Sequence, residues 1–285
     1  MTMKHLYNRL AKRLYYSSIT DLSNKIVGTL TVDGKRIECD RLLGAPWHPG
    51  ITKAGRLSVS GTCDIGRVKV YSTHSFRQAA LRKDVQNIPL GKCRFAELVA
   101  SDDRFVVEKW VDGVPVSKLT GPDLKYATEA VKNFLERLES DSTCNQIASN
   151  NSEAFCYFED YLVSRLGVWA LYDQISEFLD QWKTLYKSLS NELPVRLTHA
   201  DLSLNNVFLE KDTGDFVIID NELLGVGRGW VLDWHNSLLN KMGCDVPPYL
   251  SKVSQKFINK SWQLRRLGSA LDANDFTEVN NIICR

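Results

Sequence analysis

The chain has 285 residues, 44% of them hydrophobic and 25% charged, which suits a globular protein with room for two lobes. A formal net charge of +2 gives no basic excess of the kind nucleic acid requires, and no run of about 18 apolar residues offers a membrane span. The seven cysteines are widely spaced and include no C-x-x-C pair, which argues against a zinc site or disulfide framework and for a reducing, cytoplasmic setting.

Residues 1–24 mix leucines and tyrosines with Lys4, Arg9, Lys12 and Arg13 and read as a short amphipathic helix, without the apolar stretch of a secretory signal. Its basic face either packs on the body of the protein or makes peripheral contact with an anionic inner-membrane face. Residues 25–112 have strand texture. The alternation over 26–32, the hairpin turn Asp33-Gly34 and the run 35–43 come first. The segment 44–50, GAPWHPG, breaks the pattern; 51–60, the turn 61–66 and the strand 67–71 follow. A helix is expected over 75–87, then strands over 94–100 and 105–111. This first lobe is a mainly antiparallel sheet with one helix.

Residues 113–285 read as a second, mainly helical lobe. Pro122 sits at the first helical position, and Leu124, Ala127, Val131, Phe134, Leu135 and Leu138 recur at helical spacing. A polar loop is expected over 140–152 and one or two aromatic-rich helices over 153–189. A short strand, 195–198, leads into His199. Strands 206–210 and 216–220 pair around the turn 211–215, and the chain is helical beyond Gly229.

The most informative stretch is 198–222, THADLSLNNVFLEKDTGDFVIIDNE. Phosphoryl transfer needs a carboxylate to orient the acceptor hydroxyl and take its proton, and oxygen ligands to hold Mg²⁺ on the phosphates. Asp201 sits in a loop, Asn206 follows it, and Asp220 ends the apolar strand after a hairpin. A hairpin returns the chain beside itself, so Asp220 and Asn206 can share a metal while Asp201 faces the acceptor.

The run H-x-D-x-x-x-x-N from His199 to Asn206, followed by Ile219-Asp220-x-Glu222, resembles the aminoglycoside phosphotransferase and choline kinase-like superfamily, which has a protein-kinase-like fold. The resemblance implies an α+β, two-lobed, ATP- and Mg²⁺-dependent kinase of small-molecule hydroxyls. It makes Asp201 the catalytic base, Asn206 and Asp220 the metal ligands, His199 a brace of the loop and Asp233 an anchor at a helix start. Ala200 stands where protein kinases carry arginine, Ser203 where they carry lysine beside the nucleotide, and Glu222 where they carry the glycine of DFG. These choices resemble small-molecule kinases.

By the same resemblance, Lys69 would hold the α- and β-phosphates, and either 44–51 or 61–66 would cover them through glycine-rich backbone. Glu108, Lys109 and Trp110 would form the hinge whose backbone meets adenine. The expected helical Glu partner of Lys69 is missing from 75–87, which leaves Asp84, Glu97 or no partner. Three acceptors fit the resemblance: a quaternary ammonium held by Trp230, Trp234 and Glu222, a sugar of lipopolysaccharide or another glycolipid at the membrane face, and an antibiotic. A catalytically inactive, kinase-shaped binding module is the rival from another class.

Overall fold

A computed structural model describes residues 28–43, 57–73, 76–88, 90–151, 166, 172–189, 195–227, 229–244, 252–273 and 275–284. The expected helix 1–24 and the candidate lid 44–51 lie outside these residues. No helix among the described residues is long and apolar enough to cross a membrane. The six described cysteines are all free thiols.

The first part of the chain builds one sheet. Strands β1 (Gly28–Val32), β2 (Lys35–Leu42), β3 (Ser58–Cys63) and β4 (Gly66–Ser72) run antiparallel in chain order. Asp33 and Gly34 both adopt positive φ, 49° and 76°, the geometry that lets a two-residue turn follow the strand twist. Helix α1 (Phe76–Val85) then crosses over. After β5 (Cys93–Phe95), strands β6 (Leu98–Ser101) and β7 (Phe105–Lys109) return, with β7 against β4, giving the order β1-β2-β3-β4-β7-β6. Alternation places Val32, Ile37, Val59, Val68, Val70 and Val107 in one apolar cluster. At Gly61 an added Cβ would fall 2.6 Å from the Glu38 carbonyl oxygen, so β2 and β3 approach there only around glycine.

The second part mixes small sheets with helices. Strand β8 (Gly113–Pro115) and a 3-10 turn, Val116–Lys118, precede helices α2 (Gly121–Ser140) and α3 (Ser142–Asn150). Helix α4 (Asp173–Leu189) leads to β9 (Arg196–His199), β10 (Val207–Glu210), β11 (Phe216–Ile218) and β12 (Leu224–Gly227). Helices α5 (Gly229–Lys241), α6 (Lys252–Ala273) and α7 (Phe276–Ile283) complete the described chain. The expected stripe on α2 is the core face: Ala127, Val131, Phe134, Leu135 and Leu138 are buried in the largest cluster, beside Phe216, Leu197 and Val207. Each large side chain so buried contributes about 1.5–3 kcal/mol of transfer free energy.

Three expectations need correction. Residues 142–150, expected in a polar loop, form α3. Asp141 caps it by accepting from the Thr143 and Cys144 N–H groups, and Cys144 and Ala148 bury one face. The single strand expected over 94–100 is split. Its first residues, in β5, run parallel to β11, and its last, in β6, pair with β7. Strands β8 and β12 were not anticipated, because runs of three and four residues carry too little periodicity to read. The α+β arrangement itself is as expected, an antiparallel sheet followed by a mainly helical part.

Candidate active site

The segment from His199 to Glu222 is held on both sides. At its start β9 pairs with β12, setting His199 opposite Leu224, and the Ala200 N–H donates to the Leu223 carbonyl at 3.2 Å. In the loop, Leu202 N–H reaches back to His199 O and Asn206 N–H to Ser203 O. Ser117 clamps the far side: its N–H donates to Leu204 O at 3.0 Å and its hydroxyl to Asn205 Oδ1 at 2.6 Å. Strands β10 and β11 then pair in register, Val207 opposite Ile218.

That hairpin brings Asn206 and Asp220 together. The Ile219 N–H donates to the Asn206 carbonyl at 2.9 Å, one residue before Asp220. The Asn206 side chain, nearly buried, donates through Nδ2 to the Asp201 carbonyl at 2.9 Å. An amide directs its two ends apart, so this bond turns Oδ1 away from the loop. Asp220 has φ 59° and ψ 45°, a left-handed conformation that aspartate tolerates better than most residues. Asn221 fixes the turn by donating to Glu108 Oε1 at 2.9 Å and to Ile218 O at 3.2 Å.

Lys69, on β4, reaches this turn. Its ammonium lies 2.5 Å from Asp220 Oδ1 and 2.7 Å from Glu222 Oε1. Glu222 therefore fills the place of the missing helical partner. Asp84 is exposed on α1, and Glu97 pairs with Lys109 at 3.6 Å. Where a helical glutamate was expected, α1 instead presents the buried Gln78, which donates to the Glu222 carbonyl at 2.7 Å. Burial alone would lower the Lys69 pKa, but the charges of Glu222 and Asp220 override it and hold the ammonium form above its ordinary range. Two carboxylates face one ammonium, so the cluster tends to keep a proton. Burial, only partly opposed by Lys69, pushes Glu222 up to about 7.

Asp201 lies across the loop. Its Oδ1 accepts from Arg265 Nη2 at 2.8 Å, and Arg265 Nη1 donates to the Ala200 carbonyl at 2.7 Å. Among the described residues, Asp201 Oδ2 accepts no bond. His199 is fully buried. Its backbone N–H donates to His235 Nε2 at 3.4 Å, and neither of its ring nitrogens has a hydrogen-bond partner among the described residues. Burial depresses the pKa of both rings, that of His235 to about 4, so both are neutral. Asp233, Trp230 and Trp234 fall in α5, and their side chains lie outside the described residues.

Glu108 and Trp110, the hinge candidates, stand at the end of β7. Glu108 lies inside the sheet, opposite Lys69 on one side and Leu98 on the other. Its buried carboxylate pairs with Arg82 at 2.7 Å and also accepts from Tyr71 and Asn221. The Trp110 N–H donates to the Arg67 carbonyl at 2.9 Å, and its ring packs under the Arg67 guanidinium at 4.0 Å. The Lys109 N–H also donates within the sheet, to the Glu97 carbonyl at 2.8 Å. The alternative lid 61–66 is likewise part of a strand and of the tight turn between β3 and β4.

Two contacts at the candidate site were not legible beforehand. Arg265 lies 64 residues beyond Asp201 in a helix without a motif, and the role of Glu222 depends on a contact made across 153 residues. No group of three or more His, Cys, Asp or Glu side chains among the described residues could hold a metal alone. Asp220 and Asn206 nonetheless carry hard oxygen donors on neighbouring stretches of backbone. A nucleotide-borne Mg²⁺ needs only one or two protein carboxylate or amide oxygens, with phosphates and water supplying the rest. The Lys69 ammonium already sits on Asp220 as a cation would.

A family model described as the phosphotransferase enzyme family matches residues 84–228. No curated protein matches the chain by sequence. Among solved structures, a thermostable mutant of aminoglycoside phosphotransferase APH(4)-Ia, apo form, aligns with a TM-score of 0.50 at 12% identity, covering 87% of this chain and 92% of that one. The streptomycin-ATP-APH(2″)-IIa ternary complex gives 0.46 at 15% identity, covering 94% and 96%. Macrolide 2′-phosphotransferase MphH from Brachybacterium faecium gives 0.42 at 12% identity, covering 93% and 96%. The first of these shares the fold of this chain.

Proposed function

The chain belongs to the phosphotransferase enzyme family, and from that premise we propose that it is an ATP- and Mg²⁺-dependent kinase that phosphorylates a hydroxyl of a small polar acceptor. The observation that carries this reading is the convergence of Lys69, Asn206 and Asp220 at the end of one hairpin, with Asp201 on the adjoining loop.

In this reading Asp201 Oδ2 receives the acceptor hydroxyl and takes its proton. The acceptor oxygen forms its bond to the γ-phosphorus as the bond to the ADP oxygen breaks. Asp220 and Asn206 Oδ1 would hold Mg²⁺, which supplies charge neutralisation on the phosphates when bound. Lys69, kept charged by Glu222, leaves Asp220 and steadies the α- and β-phosphates. Ser203 borders the nucleotide from the loop. His199 stays neutral and buried, a support for the loop and not a proton carrier. Asp233 is proposed as the anchor at the start of α5. Rate enhancement comes from positioning and electrostatics in a site with no covalent intermediate. The enzyme is placed in the cytoplasm, where ATP is available. Residues 1–24 would touch an inner-membrane face if the acceptor were a glycolipid sugar.

The test is a thermal-shift titration with Mg·ATP, paired with ADP release by wild type and Asp201→Ala. Binding to the native state must raise Tm. The variant should keep the shift and lose turnover. Wild-type turnover by Asp201→Ala would remove the base from the mechanism, and a shift without product from any acceptor would favour a silent binding module.

A further inference from the structure

Arg265 links two places. From the middle of α6 it grips the catalytic loop at Asp201 Oδ1 and at the Ala200 carbonyl. The same side chain lines a cavity of about 410 Å³ between α6 and α7, with Trp262, Arg266, Ser269, Asp275 and Glu278. Residues 262, 265, 266 and 269 share one face of α6. The volume falls in the range of roughly 300–1,000 Å³ typical of small-molecule sites.

We propose that this cavity receives the acceptor, and that Arg265 fits it to an uncharged or anionic sugar-type polyol instead of a polycation. The inference rests on the kinase reading of Asp201 and deepens it. A polyamine is held by carboxylates left without counter-charge. Here the carboxylate at the reacting end already carries a guanidinium, 16% exposed, at 2.8 Å. Along the α7 side, the exposed Arg266 pairs with Glu278, and Asp275 caps α7 by accepting from the Glu278 N–H at 3.0 Å. Among the described lining residues, Arg265 is committed to Asp201 and Arg266 to Glu278, which leaves Asp275, whose carboxylate serves as the α7 cap. An ammonium docked beside Asp201 would meet Arg265 as a like charge. A sugar ring instead finds an aromatic face in Trp262, whose centroid lies 5.9 Å from the Arg265 guanidinium, and polar partners in Ser269 and Asp275. A carboxylate or phosphate substituent would be matched in charge and shape to the guanidinium.

Arg265 is also a positioning residue. By occupying Oδ1 it orients the Asp201 carboxylate so that Oδ2 faces the hydroxyl. Lysine at 265 would retain the charge but not the two-point grip on Oδ1 and the Ala200 carbonyl.

The experiment measures Mg·ATP-dependent ADP release by the full chain with two panels. One holds glucose, N-acetylglucosamine, glucuronate and glucose 1-phosphate; the other holds kanamycin and choline. We expect stimulation by a member of the first panel and by neither amine. With that sugar, Arg265→Gln should lower kcat at least tenfold, Arg265→Lys should recover part of it, and Trp262→Ala should raise KM with kcat retained. Turnover of kanamycin or choline at higher kcat/KM than every sugar overturns the proposal, as does an unchanged kcat in Arg265→Gln. If Mg·ATP raises Tm and kanamycin or choline is turned over while every sugar is inert, the acceptor assignment fails and the kinase reading stands; if both panels are inert, both readings fail. Should Arg265→Gln fail to fold, the two panels and Trp262→Ala decide the matter.

Discussion

Replacing Glu222 with glutamine isolates the charge balance around Lys69. The carboxylate is 7% exposed, and burial raises its pKa from an ordinary 4.5 to about 7. A carboxylate raised on folding contributes stability that is fully present below 4.5 and is lost as pH rises through 7. At about 1.4 kcal/mol for each tenfold step, the gap between those values amounts to about 3 kcal/mol. Lys69 is raised as well, so its contribution is lost only at strongly alkaline pH and does not enter this window. Glutamine keeps the shape and has no titration. Near pH 5 the two proteins should have similar urea midpoints; near pH 8 Glu222→Gln should be more stable than wild type by about 3 kcal/mol. Groups such as His235 titrate in both proteins and cancel in the difference. A wild-type-minus-variant difference that stays constant from about pH 5 to about pH 8 would refute the reasoning.

Two further outcomes follow from the same geometry. Asp220→Asn retains a residue that accepts the left-handed conformation, so its Tm should match wild type while Mg²⁺-dependent ATP affinity, read by calorimetry, falls about a hundredfold or more. Glu108→Ala leaves Arg82 buried without its carboxylate and should cost about 3–5 kcal/mol in urea unfolding; a loss below about 1 kcal/mol would mean that Arg82 finds another acceptor.

The meeting of Asp220 with Asn206 was legible because its logic is local. Four residues separate Asp201 from Asn206, and a hairpin with a Gly214 turn must return Asp220 to Asn206 whatever surrounds it. The buried stripe of α2 was legible for the same reason, since helical period alone aligns its apolar side chains. Contacts between distant segments were not. The choice of Glu222 over Asp84 or Glu97 depends on where β4 meets the turn after β11, and no spacing rule carries that distance. The side-chain partners of Glu108 were equally hidden, since Arg82, Tyr71 and Asn221 come from three other elements. Helix α3 was hidden by composition: Ser, Thr and Asn look like loop residues until Asp141 caps them and two small side chains find a core.

The parallel pairing of Cys93–Phe95 with Phe216–Ile218 has a consequence for dissecting the molecule. A scission at Asp112 would strip an outer strand from the ladder that supports the β10–β11 hairpin. Neither fragment would then be a complete folding unit. Co-expressed halves would have to find each other through that seam, and the distance along the sequence between its two sides means the ladder zips up only after most of the chain has been synthesised.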